Sequence, residues 1–138
     1  MRQRNILISE NDLLRLRDEI HVARSSWYAF TPMVEVLEAR LRRARVVAPQ
    51  ELSKETITMN SRFQVRDPQD DSASTYTLVY PLEADHERGK VSVLSPLGVA
   101  VLGAQVGDFI WWTEAGESRS GRIESLSFQP EAVGAHHL

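Results

Sequence analysis

A chain of 138 residues, 42% hydrophobic and 25% charged, has room for one ordinary domain and a small appendage. Without cysteine it has neither a disulfide framework nor a thiolate metal site. Its net charge of −3 divides unevenly: nine arginines face six acids over residues 1–48, and seven basic residues face thirteen acids over 49–138.

The chain opens on the basic Met1-Arg2-Gln3-Arg4, but Ile6-Leu7-Ile8 is too short for the core of a signal peptide. Ser9-Glu10-Asn11-Asp12 reads as a helix start, with Ser9 as the cap and acids in the first turn, where they meet the positive end of the dipole. Leu13, Leu16, Ile20 and Ala23 follow at spacings of three and four. Thr31-Pro32 begins a second helix, in which Val34, Leu37, Leu41 and Ala44 repeat that spacing. Two matched apolar stripes of about 14 residues, joined by a short loop, are expected to pack as an antiparallel hairpin or short coiled coil. Arg40, Arg42, Arg43 and Arg45 are placed in its last turns, where cations complement the dipole.

Residues 46–55 show no period and read as a linker, so the expected division is a hairpin over 1–48 and a second domain over 49–138. From Thr56 the period becomes two: Met59, Ser61, Phe63 and Val65 alternate with Arg62, Gln64 and Arg66. Residues 67–72 are a turn, and strands are predicted over 75–80, 90–94, 109–113 and 119–128. Ile123 and Leu126 differ in parity, which predicts a bulge in the last strand. Trp111 and Trp112 fall on opposite faces of one strand, one toward the core and one toward solvent. Between the third and fourth strands Ser95-Pro96 opens a short helix whose Leu97, Ala100, Val101 and Ala104 offer one face to a sheet, and Gly103 and Gly107 turn the chain out of it. Five strands with an internal helix make an α+β domain.

The segment SVLSPLGVAVLGAQVGD (92–108), with TMNSRFQVRD (58–67), YTLVYP (76–81) and FQPE (128–131), resembles the C-terminal domain of the Gre transcript-cleavage factors. It is most similar to the shorter members of that family that regulate nucleoside diphosphate kinase. The resemblance implies an FKBP-like fold, a twisted antiparallel sheet packed on the internal helix. It implies RNA polymerase as partner, with the hairpin in the secondary channel, and regulation of nucleoside diphosphate kinase levels.

In Gre factors two acids at the hairpin tip help hold a magnesium ion that hydrolyses the transcript, chemistry that needs hard oxygen ligands placed against phosphate. Here the tip is Ser25-Ser26-Trp27-Tyr28-Ala29-Phe30-Thr31, with no acid between Ile20 and Val34. The hairpin is also shorter than the Gre hairpin. The expectation is therefore a non-enzymatic protein without cofactor or metal. Trp27 and Tyr28, with Phe30, are either binding anchors or the cap of the seam between the helices. The family's polymerase-docking loop corresponds to Leu94-Ser95-Pro96. Leu94 stands where the family carries an acid, which leaves an apolar contact to replace a polar one.

The acidic larger part argues against direct nucleic-acid binding as the main activity, because phosphate neutralisation supplies most such affinity. DNA contact is expected to be weak or indirect. The basic hairpin is either a solvated face or a contact for nucleic acid or an acidic protein. No apolar run approaches the ~20 residues of a spanning helix, so no membrane contact is expected and the cytoplasm is the expected place. His21, His86, His136 and His137 have no metal-ligand spacing. Two other readings stay open. One is a peptidyl-prolyl isomerase, which requires Tyr76, Tyr80, Phe109 and the tryptophans to line one concavity. The other is a direct protein-binding regulator of nucleoside diphosphate kinase, which requires an exposed apolar patch on the sheet.

Overall fold

The computed structural model describes residues 6–25 and 32–135. Ser9 lies in extended backbone and its hydroxyl accepts from the Asp12 amide at 3.1 Å, which starts helix α1 (Glu10–Arg24) at the expected place. Helix α2 (Pro32–Arg42) is shorter than expected. Bonds from the amides of Arg43 and Ala44 to residues three back tighten its last turn and release the chain, so Arg43 and Arg45 lie beyond the helix.

The segment expected as a linker is partly structured. Arg45–Val47 forms β2 and pairs in parallel with β1 (Leu7–Ser9), with Leu7 opposite Arg45 and Ser9 opposite Val47. Strands of three residues carry too little alternation to be read from sequence. Because β1 precedes α1 and β2 follows α2, this pairing closes the helix pair at its base and makes the helices antiparallel. Leu16, Ile20 and Ala23 of α1 and Val34, Leu37 and Leu41 of α2 are buried as the spacing predicts.

The main sheet contains β3 (Arg62–Arg66), β4 (Ala73–Val79), β5 (Lys90–Ser92), β6 (Phe109–Glu114) and β7 (Glu117–Phe128), in the spatial order β5-β4-β3-β7-β6. Neighbours are antiparallel except β4 and β5, which run parallel, so the expected wholly antiparallel sheet is corrected at that edge. Two 3-10 turns (Pro81–Glu83 and His86–Arg88) carry the chain back between them. The bulge is present: β7 skips Glu124 and Ser127 in its pairing with β3. Ala115 and Gly116, at φ 51° and 79°, form the two-residue β6–β7 hairpin, whose backbone twist demands positive φ at both positions.

Helix α3 (Pro96–Val101) packs against β6 and α2. Leu97, Val99, Val101 and Leu102 are all buried, so this helix is enclosed rather than one-sided. One apolar cluster joins the helix pair to the sheet, running from Ile8, Leu16 and Leu37 to Phe63, Leu78, Val101 and Ile123. Among the described residues the chain is thus a mixed α+β structure with three helices. No described helix is long and apolar enough to cross a membrane.

Polar residues of the shared motifs tie the parts together. The Thr58 hydroxyl donates to Glu131 at 2.7 Å and shares a hydrogen bond with Ser61 at 2.9 Å. Gln129 donates to the carbonyls of Ser53 and Thr56 at 2.8 and 2.7 Å. From α1, buried Asp12 accepts from the Met59 amide at 3.1 Å. The TMNS and FQPE motifs therefore meet in space, and their polar members hold backbone.

Candidate docking surface

The loop from β5 into α3 is built by a chain of short local bonds. The Ser92 hydroxyl accepts from the Leu94 amide at 3.0 Å. The Ser95 hydroxyl donates to the Ser92 carbonyl at 2.7 Å and accepts from the Gly98 amide at 3.0 Å, capping α3 while pinning the loop to the end of β5. Pro96 occupies the first helical position, where no amide is needed. Its ring is exposed, and Leu94 and Ser95 are half-buried, with Leu94 packed on the edge of the core. Leu94, Ser95 and Pro96 thus form one hydrogen-bonded turn at the start of α3, with Pro96 exposed.

One residue that shapes this loop and one exposed apolar residue near β5 escape sequence reading. A Cβ at Gly98 would lie 1.9 Å from the Ser92 carbonyl oxygen, so only glycine lets α3 approach β5 this closely. Leu82 is 95% exposed on the 3-10 turn that packs against β5. A Pro-Leu pair after a strand is the only signal the sequence offers for it.

The helix pair is coupled to the same helix α3. Arg40 donates to the Leu102 carbonyl at 3.1 Å, and burial lowers its pKa. It is thus an internal tie rather than the dipole partner expected. Arg24 spans the helix pair, donating to Glu38 at 2.6 Å and to Glu35 at 2.8 Å, and Arg42 donates to Glu38 at 2.5 Å. Hydrogen bonds from the two arginines hold the Glu38 carboxyl down to about 2. A groove of about 360 Å³ lies here, floored by Ile20 and Leu41 and flanked by Arg17, His21, Arg24 and Arg42. Trp27, Tyr28 and Phe30 lie outside the described residues. So does most of the acid-free tip, and Glu35, the first acid after it, is engaged by Arg24.

These residues do not fit the tip-bound magnesium of the cleavage factors. Ser25–Thr31 supplies no carboxylate, and no group of three or more Asp, Glu or His able to hold a metal occurs among the described residues. The aromatic residues considered for an isomerase pocket are divided between the two faces of the sheet. Tyr76 stacks on buried Phe63 at 5.9 Å and Trp112 packs on the core, whereas Phe109 and Trp111 are exposed on the other face. Tyr80 is buried beneath Arg15, whose guanidinium carbon is 4.5 Å from the ring centre.

Comparison with known proteins gives three kinds of match. The family described as "Transcription elongation factor, GreA/GreB, C-term" matches residues 52–127. The regulator of nucleoside diphosphate kinase of Escherichia coli (strain K12) is 36% identical over 129 residues, covering 93% of this chain and 94% of that protein. The transcription elongation factor GreA of Thermodesulfovibrio yellowstonii is 30% identical over 111 residues, 80% of this chain and 70% of that one. A solved structure of a prokaryotic transcription elongation factor GreA/GreB from Nitrosomonas europaea superposes with a TM-score of 0.76 at 35% identity. It covers 89% of this chain and 99% of that one.

Proposed function

The chain belongs to the GreA/GreB family of transcription elongation factors, and from that premise we propose that it is a non-catalytic regulator of RNA polymerase. It docks at the rim of the secondary channel in the cytoplasm and competes there with Gre factors without cleaving transcripts. The observation that carries this reading is the Leu94-Ser95-Pro96 loop, which keeps the family's Ser-Pro pair in a rigid turn with Pro96 facing solvent. The body is residues 49–138, an FKBP-like domain. The arm is residues 1–48, a short antiparallel coiled coil. An α1 of 15 residues reaches only about 22 Å. With Trp27 and Tyr28 in place of tip acids, the arm fills channel space without supplying metal ligands. Regulation of nucleoside diphosphate kinase is what the name of the Escherichia coli relative supports, and it follows here from polymerase binding rather than from a direct complex. The division of the aromatic residues between two sheet faces favours this reading over an isomerase.

Binding of purified polymerase to loop variants tests it. Pro96→Ala and Leu94→Arg are expected to keep the fold and to weaken binding by about 1–3 kcal/mol, as for an interface anchor. Unchanged affinity in folded variants removes the loop from the interface.

A further inference from the structure

The main sheet covers the core with one face only. Phe63, Val65, Ile110 and Ile123 point inward and are buried. Strand register then places a different set on the outward face. Arg66 of β3 stands opposite Arg122 of β7, and Arg122 stands opposite Phe109 of β6, making one row across three strands. Lys90, Thr77 and Arg62 form a second row from β5 to β3. Between the rows Gln64 is bonded to Thr75 and Ser125.

The charge on this face opposes that of the domain carrying it. Four of the seven basic residues of 49–138 lie here, whereas Glu124, set outward by the bulge, is its one strand acid. Glu124 and Asp71 engage Arg66. Among the described residues Arg62, Lys90 and Arg122 form no salt bridge. At the sheet edge Phe109 and Trp111 are 57% and 55% exposed, with ring centres 6.4 Å apart. Exposed aromatic rings serve as stacking platforms beside a cation that meets the phosphate, and strand pairing sets Arg122 opposite Phe109, with Ser120 opposite Trp111.

We propose that this outward face binds single-stranded RNA. Bases stack on Phe109 and Trp111, phosphates pair with Arg122 and Arg62, and the hydroxyls of Thr75, Thr77 and Ser120 suit the ribose 2′-OH. A protein partner requires an apolar centre with a polar rim. This face has the reverse arrangement, polar and cationic at the centre with its aromatic pair at the edge. The inference needs no polymerase contact, so it stands or falls apart from the docking reading.

The test is fluorescence anisotropy of a labelled uridine-rich RNA of ~10 nucleotides with the full chain and no polymerase. Saturable binding that weakens with salt is expected, with weaker binding of DNA of the same sequence. Phe109→Ala and Trp111→Ala should each weaken binding by about 5- to 150-fold, and Trp111→Phe should restore most of the loss. Arg122→Ala should lower the slope against salt by ~1. Absence of saturable binding at low salt would overturn the proposal. So would wild-type affinity in the folded variants, equal binding of the DNA strand, or displacement of the RNA by a glutamate-rich peptide at equal charge.

Discussion

Asp12 shows how one residue can set a condition on the whole fold. Its carboxyl is buried and accepts from the Met59 amide at 3.1 Å. Burial pushes its pKa up to about 7 and repulsion from Glu131 adds to the rise, against the Met59 hydrogen bond and the Arg15 charge, which lower it. An acid whose folded pKa lies above its unfolded value of 3.8 binds its proton more tightly when folded. The resulting stability is full below pH 3.8 and is lost as pH rises through about 7. A shift of this size corresponds to roughly 4 kcal/mol. Denaturant unfolding between pH 4 and 8 should therefore show the wild type losing stability relative to Asp12→Asn, which keeps an acceptor for the Met59 amide and has no charge to bury. Parallel stability curves for the two proteins would show that Asp12 does not titrate in this window.

At the scale of elements, the pieces set by neighbouring residues were legible and those set by distant partners were not. Ser9 and Ser95 cap their helices because each cap needs only an amide three residues on. The bulge opposite Gln64–Val65 follows from the broken parity of Ile123 and Leu126. By contrast, the β1–β2 pair joins residues 7 and 45, and the parallel edge between β4 and β5 depends on two 3-10 turns without a periodic signature. Gly98 makes the point most sharply. Helix propensity alone predicts that Gly98→Ala gains about 1 kcal/mol. The Ser92 carbonyl oxygen, 1.9 Å from the added carbon, predicts a loss of about 1–3 kcal/mol or more. Urea unfolding gives the sign, and a stabilised variant would show that α3 does not sit this close to β5.

Across the whole molecule, one apolar cluster and the Arg40–Leu102 bond join the helix pair to the sheet, so the helix pair and the Leu94–Pro96 turn are held in a fixed relation. The Ser95-Pro96 start of α3 was legible because its residues are contiguous in the sequence. The outward sheet face was not, because Arg62, Arg122 and Phe109 become neighbours only through strand register. On the proposed function, this protein occupies the Gre site on RNA polymerase and has no cleavage chemistry of its own. The decisive measurement is Gre-dependent cleavage of backtracked transcripts, followed as purified protein is added. Cleavage is expected to fall with rising concentration, and the protein alone should give none at any magnesium concentration. Undiminished cleavage at saturating protein, or cleavage by the protein alone, would contradict it.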